Sequence, residues 1–192
     1  MLSAECFLLP SQVVTRDSSL LQLVTCHSSL VTNKMFDQKT LHIGDPAPEL
    51  KLKDQHGNLV FLRDYAGRWV ILYFYPKDDT PGCTREACNF RDESQEWAPF
   101  NAQVLGVSVD SCESHERFAR KFGLKFPLLA DPTKKVTRAY GALAFYRLAR
   151  RMTFIIDPAG KIRKIFSRVN PKVHAEEVAQ ALRELQTSVT SA

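Results

Sequence analysis

Cysteine is scarce in this 192-residue sequence, and the apolar residues never form a long run. The cysteines are too few, and odd in number, for a disulfide framework; they are Cys6, Cys26, Cys83, Cys88 and Cys112. We therefore expect thiols in a reducing compartment, where any disulfide is catalytic. Because no stretch approaches the ~18 apolar residues of a membrane-spanning helix, we also expect no membrane span.

Clusters of basic residues and metal-ligand spacings are missing as well. The net charge is +5, but Lys and Arg are scattered, with only pairs such as Lys134-Lys135 and Arg150-Arg151. Nucleic-acid binding needs clustered basic residues with interleaved aromatics, so we expect no nucleic-acid partner. The five histidines have none of the spacings typical of metal ligands, so metal or haem catalysis has no support.

Residues 1–40 differ in composition from the rest of the chain. They are rich in Ser and Thr, and their apolar patches follow no sustained period. We predict a disordered N-terminal extension, or a start codon placed too early, with Met35 as the alternative start. Three basic and three acidic residues disfavour a transit peptide, so we predict a cytoplasmic protein. The many Ser and Thr residues in this segment keep a plastid targeting segment as the alternative. Residues 41–190 are predicted to form one domain.

Strands and helices alternate from Leu41 onward. The hydrophobic pattern predicts strands over 50–53, 59–62, 69–75, 103–109, 126–130, 152–156 and 161–168. Helices are predicted over 84–98, 113–123, 132–140 and 171–185. The second helix has Ser111 as its N-cap and Gly123 after its end, and the last two follow the pairs Asp131-Pro132 and Asn170-Pro171. This order predicts an α/β fold with a mixed sheet flanked by helices and an N-terminal β-hairpin.

Two cysteines lie around a junction between a strand and a helix. The stretch Tyr73-Phe-Tyr-Pro-Lys-Asp-Asp-Thr-Pro-Gly-Cys-Thr-Arg-Glu-Ala-Cys88 contains both. Cys83 ends the loop after the central strand, at the edge of the sheet where α/β proteins bind ligands. It also begins a helix, whose unpaired N–H groups and dipole favour a thiolate. Cys88, five residues further on, is a second thiol that can react with the oxidised form of the first.

The residues around Cys83 resemble those of a known enzyme family. Pro76-x-x-x-Thr80-x-x-Cys83 matches the active-site motif of peroxiredoxins, and the stretch from Tyr73 to Glu86 is similar to the peroxiredoxin Q / bacterioferritin comigratory protein subgroup. The similarity runs from about Ile43-Gly-Asp-Pro-Ala-Pro48 to the last predicted helix. The resemblance implies a thioredoxin-like fold and a thiol peroxidase for hydrogen peroxide and organic hydroperoxides. It also implies that no cofactor is needed and that the protein is a monomer.

The resemblance further implies roles for individual residues. Cys83 would be the peroxidatic cysteine, which becomes a sulfenic acid, and Cys88 the resolving cysteine, which closes an intramolecular disulfide. Thr80, Pro76 and Arg151 correspond to the other motif residues of the family, with the arginine placed to hold the peroxide. Thioredoxin or a similar dithiol is the implied reductant.

The spacing of the two cysteines sets a geometric condition for that disulfide. Residues i and i+5 of an α-helix have Cα atoms about 8.6 Å apart, whereas a disulfide needs roughly 4.4–6.8 Å. We therefore predict that the first turns of the helix unwind when Cys83 and Cys88 bond.

The residues alone leave several alternatives open. Arg150 could take the role of Arg151, and Glu86 could either orient the site or be an exposed residue that complements the helix dipole. Cys112 also lies near a helix start, but the family motif has no cysteine there, and we interpret it as incidental. Two other functions compete with a peroxidase: a thiol–disulfide oxidoreductase, which would favour Cys-x-x-Cys, and a non-enzymatic redox sensor.

Overall fold

The computed structural model describes residues 40–145 and 147–190. The predicted N-terminal extension therefore lies outside the described residues except for Thr40, and so do Cys6 and Cys26. No helix within the described ranges is both long enough and apolar enough to cross a membrane.

A mixed sheet forms the centre of the described residues. Its seven strands are β1 (Lys51–Lys53), β2 (Leu59–Phe61), β3 (Trp69–Phe74), β4 (Ala102–Ser108), β5 (Leu128–Ala130), β6 (Met152–Ile156) and β7 (Ile162–Phe166). Their order across the sheet is β2-β1-β5-β4-β3-β6-β7. Strands β3, β4 and β5 are parallel to one another, and the other pairings are antiparallel. The predicted α/β class, mixed sheet and initial hairpin are confirmed.

Helices cover both faces of this sheet. The described residues contain α1 (Pro81–Trp97), α2 (Cys112–Phe122), α3 (Lys135–Ala139) and α4 (His174–Thr190), with short 3₁₀ turns at Leu62–Tyr65 and Ala98–Phe100. Helices α1, α2 and α4 pack with Ile71 and Tyr73 of β3 in one apolar core. Helix α3 packs with Val70 and Phe74 of the same strand in the other. Strand β3 is buried along its whole length, as expected for a central strand, and its carboxyl end leads into the loop before α1.

Helix α2 begins and ends where the sequence predicts. The Ser111 hydroxyl accepts the N–H of Ser114 at 3.3 Å, which makes Ser111 the N-cap. Gly123 follows the helix with a φ of 63°, the left-handed conformation that glycine adopts without a steric penalty.

Helices α3 and α4 begin later than predicted, although each follows a capping residue and a proline. The Asp131 side chain accepts the N–H groups of Lys135 at 3.1 Å and of Thr137 at 2.8 Å, so its bonds span a turn that precedes the helix. Lys134 in that turn has a φ of 61°, which excludes it from the helix. A similar turn over 171–173 precedes α4, which continues to Thr190 rather than ending near 185.

Candidate active site

Helix α1 begins earlier than predicted, at Pro81 rather than at residue 84. The Thr80 carbonyl accepts the N–H of Thr84 at 2.8 Å, which is the first bond of the helix. Pro81 occupies the first helical position, where its missing N–H has no partner to lose. Cys83 therefore lies inside the first turn, among the N–H groups that have no partner within the helix. Its side chain is buried, with 1% of the residue exposed.

Arg151, just before β6, brings a positive charge to Cys83. Its Nη2 donates to Cys83 Sγ at 3.3 Å, and its Nη1 donates to Glu86 Oε2 at 2.6 Å. One guanidinium therefore binds the side chains of Cys83 and Glu86 at the same time, in the forked geometry that arginine provides. Arg150 is exposed, and its Nε lies 3.1 Å from Met152 Sδ, so the structure places Arg151 and not Arg150 at the cysteine.

A glycine makes room for this arginine. A Cβ atom at Gly82 would lie 2.7 Å from Arg151 Nη2, closer than non-bonded atoms approach. Because Gly82 has no side chain, the guanidinium can lie against the first turn of α1. Gly82 thus contributes to the site because it has no side chain.

Glu86 is buried rather than exposed, with 1% of the residue accessible. The alternative of an exposed residue complementing the helix dipole is therefore wrong. Burial raises the pKa of Glu86 to about 7, although the charge of Arg151 and the hydrogen bond from it act in the opposite direction. Glu86 Oε1 has no hydrogen-bond partner among the described residues. The carboxyl group thus titrates near neutral pH beside the arginine that contacts Cys83.

The loop before α1 contains the two remaining motif residues. Pro76 is half-buried and lies two residues after the end of β3. The Thr80 hydroxyl donates to the Lys77 carbonyl at 3.2 Å, so its hydrogen is used within the loop and not on the sulfur. The lone pairs of the Thr80 oxygen remain able to accept a hydrogen bond from a bound molecule.

A buried polar cluster that no sequence motif indicates holds this loop. Asp78 accepts a hydrogen bond from the Tyr75 hydroxyl at 2.8 Å, and its Oδ2 lies 2.9 Å from His115 Nδ1 on α2. The backbone N–H of Asp78 donates to Asp110 Oδ2 at 2.9 Å. Burial alone would raise the pKa of Asp78, but the hydrogen bond and charge of His115, together with hydrogen bonds from Ser114 and Tyr75, hold that pKa below its ordinary value.

The two other thiols of the described chain differ in position. Cys88 is half-buried and lies in the same uninterrupted helix as Cys83, so the predicted separation of about 8.6 Å applies to the pair. Cys112 is the first residue of α2, and burial together with Glu113 raises the pKa of its thiol. A raised pKa disfavours the thiolate, which agrees with the interpretation of Cys112 as incidental. Within residues 40–145 and 147–190, no group of three or more His, Cys, Asp or Glu is arranged to hold a metal ion.

A buried cysteine in the first turn of a helix, hydrogen-bonded to an arginine that directly precedes a central strand, is the arrangement of a thiol-based redox site. Residues 43–165 match the model of the AhpC/TSA family. The chain therefore belongs to this family, and it is a peroxiredoxin, a thiol peroxidase, as the motif from Pro76 to Cys83 predicts.

Similar relatives and solved structures agree with that assignment. Peroxiredoxin Bcp of Bacillus subtilis (strain 168) is 42% identical over 153 residues, which are 76% of this chain and 98% of the relative. The chloroplastic peroxiredoxin Q of Sedum lineare is 39% identical over 157 residues, 80% of this chain and 83% of the relative. The structure of a cysteine-to-serine mutant of Xylella fastidiosa PrxQ superposes with a TM-score of 0.72 at 34% identity, covering 76% of this chain and 98% of that one. The predicted thioredoxin-like fold is confirmed.

Proposed function

We propose that the chain reduces hydrogen peroxide and organic hydroperoxides through Cys83, with Cys88 as the resolving cysteine and thioredoxin as the reductant. The observation that carries the proposal is the 3.3 Å contact between Arg151 Nη2 and Cys83 Sγ in the first turn of α1. Organic substrates are supported by a solved relative, the Xanthomonas campestris bacterioferritin comigratory protein, whose structures concern alkyl peroxide reduction. That structure has a TM-score of 0.67 and 37% identity, and covers 70% of this chain and 90% of its own.

The first step is an attack of the Cys83 thiolate on one peroxide oxygen. The O–O bond breaks, a sulfur–oxygen bond forms, and the second oxygen takes a proton and leaves as water or an alcohol. Arg151 and the free N–H groups of the first turn stabilise the negative charge that develops on the leaving oxygen. Thr80 accepts a hydrogen bond from the peroxide, and Pro76 shields the pocket without adding a competing donor.

The second step joins the two cysteines. The Cys88 thiol attacks the sulfur of the Cys83 sulfenic acid, the sulfur–oxygen bond breaks, and the oxygen leaves with the thiol proton as water. Because both cysteines lie in one intact helix, the first turns of α1 must unwind before their sulfurs meet. An external dithiol then restores both thiols by exchange through a mixed disulfide.

Two cysteine variants test these roles. Cys83→Ser is expected to abolish peroxide consumption, because a serine hydroxyl does not form the nucleophilic anion at neutral pH. Cys88→Ser is expected to oxidise once and then stall when thioredoxin, thioredoxin reductase and NADPH are supplied. The measurement is NADPH oxidation, together with the intact mass after one equivalent of peroxide. Full recycling by Cys88→Ser would move the resolving role to Cys112 or to a second subunit.

Rates with peroxide and with a disulfide substrate separate the peroxidase from a thiol–disulfide oxidoreductase and from a non-enzymatic sensor. A thiol–disulfide oxidoreductase would reduce a disulfide substrate rapidly and peroxide slowly. A non-enzymatic sensor would be oxidised at Cys83 without repeated turnover. Rapid peroxide consumption over many cycles is the result expected of the proposed function.

We also propose that residues 41–190 are the catalytic unit, that it is a monomer, and that the protein is cytoplasmic. The family match over 43–165 supports the beginning of this unit, and the packing of α4 in one apolar core with α1 and α2 supports its extension beyond residue 165. The bacterial relative supports the cytoplasm, while the plant relatives, named chloroplastic, support the plastid alternative. Light scattering of the native protein as it elutes from a size-exclusion column measures its mass and tests whether it is a monomer. The intact mass of the protein purified from its source shows whether residues 1–40 are present.

A further inference from the structure

One side chain fastens the cysteine-bearing half of α1 to a distant turn. Asn89, the residue after Cys88, donates the two N–H groups of its amide to the carbonyl oxygens of Pro171 and Lys172, each at 3.1 Å. A side-chain amide has two N–H donors, so Asn89 uses its full donor capacity on this turn. The contact joins residues 82 and 83 positions apart in the sequence, and it is therefore tertiary rather than part of the helix.

The turn that accepts these bonds is itself anchored to the sheet. Asn170 Oδ1 accepts the N–H of Lys172 at 3.2 Å, and the Asn170 carbonyl accepts the N–H of His174 at 3.1 Å. His174 Nε2 lies 2.7 Å from Thr153 Oγ1 on β6, and both residues are fully buried. The two carbonyl oxygens that bind Asn89 thus belong to a turn that hydrogen bonds connect to α4 and to the sheet.

The same turn also contacts the beginning of the helix. A Cβ atom at Gly82 would lie 3.9 Å from Pro171 Cγ, so this proline lies close to the first turn of α1. One turn therefore borders the helix at Gly82 and binds it at Asn89. The segment between these two residues contains both cysteines.

We propose that Asn89 is a positioning residue that keeps α1 wound around Cys88 and thereby sets the rate at which the Cys83–Cys88 disulfide forms. This inference rests on the roles proposed above for the two cysteines. Unwinding that reaches Cys88 carries the adjacent Asn89 with it and breaks both of its hydrogen bonds. While the helix stays wound, the Cys83 sulfenic acid remains open to a second peroxide, which converts it to a sulfinic acid and releases water or alcohol.

The test compares reduced wild-type protein with Asn89→Leu and Asn89→Asp after rapid mixing with one equivalent of hydrogen peroxide. Leu keeps the size of the side chain and removes both donors, while Asp places a carboxylate against the two carbonyl oxygens. Two net hydrogen bonds together change an equilibrium by about tenfold or more. We therefore expect disulfide formation about tenfold faster in both variants, an unchanged rate of Cys83 oxidation, and less sulfinic acid under excess peroxide.

The sign of the effect separates this contact from simple helix propensity. Leu favours a helix more than Asn does, so propensity alone predicts slower unwinding in Asn89→Leu. Ser94→Ala raises the propensity at an exposed position of the same helix, away from the turn, and serves as the matched control. We expect it to leave both rates unchanged. Amide exchange on the reduced proteins gives a second readout, with residues 83–89 exchanging about tenfold faster in the Asn89 variants than in wild type.

Two outcomes would overturn the proposal. One is disulfide formation that is unchanged or slower in both Asn89 variants. The other is a rate of Cys83 oxidation that changes by the same factor as disulfide formation, since that would mean a general disturbance of the site. A wild-type protein that forms the sulfenic acid but no Cys83–Cys88 disulfide would instead refute the proposed resolving role, which keeps the two failures distinguishable.

Discussion

Replacing Glu86 by Gln should remove a pH dependence of stability that this one carboxyl group produces. Burial raises the pKa of Glu86 from 4.5 to about 7, so the folded protein binds the proton more tightly than the unfolded chain does. The stability that this adds is fully present below pH 4.5 and is lost as the pH rises through about 7. Gln has the same shape and still accepts a hydrogen bond from Arg151, but it cannot ionise.

The size of the effect follows from the two pKa values. The difference between 4.5 and about 7 corresponds to roughly 3 kcal/mol, at about 1.4 kcal/mol for each tenfold change in proton affinity. Of this, about 2.5 kcal/mol falls between pH 5 and pH 8. The free energy of unfolding of wild type, relative to that of Glu86→Gln, should therefore decrease by about 2.5 kcal/mol over this range.

Urea unfolding followed by circular dichroism at several pH values measures this difference. Every other titrating group is common to both proteins, so the comparison isolates Glu86. Glu176→Gln, at an exposed position in α4, is the matched control and should run parallel to wild type. If the curves of wild type and Glu86→Gln run parallel between pH 5 and pH 8, the reasoning from burial is refuted.

Two further predictions follow from the arginine and from a crowded glycine. Arg151→Met should slow the reaction of Cys83 with peroxide by about 10²–10³-fold, because the negative charge on the leaving oxygen loses its main hydrogen-bond donor. Stopped-flow measurement of this reaction checks the rate, and the control Arg150→Met should react at the wild-type rate. Gly106→Ala should lower the free energy of unfolding by about 1–3 kcal/mol, because the added methyl carbon would lie 2.8 Å from the buried Tyr73 hydroxyl. An unfolding midpoint in urea equal to that of wild type would contradict the second prediction.

The boundaries of the helices show what sequence patterns can and cannot decide. A capping residue followed by proline predicts starts at 132 and 171, and at both places the chain first makes a turn. The pair Thr80-Pro81 has the same form, and there the helix does begin at the proline. Asp131 shows the reason, because its side chain can reach N–H groups four and six residues ahead as well as those of a first turn. The local pattern allows both conformations, and tertiary packing selects one.

The candidate site likewise has one part that the local sequence predicts and another that depends on residues distant in the chain. The strand, loop and helix around Cys83 are local, and the motif predicts them together with Arg151. The burial of Glu86 depends on a partner 65 residues away, and Asp78 meets His115 across 37 residues. Asp and Glu are mostly exposed in proteins, and burying them is costly unless a partner such as Arg151 or His115 is present. Such pairs become visible when the fold is known.

Gly82 represents a compromise between the stability of α1 and its chemistry. Glycine loses more conformational freedom than alanine when it enters a helix, so it weakens the turn that contains it. Selection for a stable helix alone would therefore favour alanine at this position, but its Cβ would displace the guanidinium from Cys83. With glycine at this position the first turn is less stable, but the guanidinium of Arg151 can reach the sulfur of Cys83. A weak first turn is also the part of the helix that has to open, so at this position the demands of peroxide reduction and of disulfide formation favour the same residue.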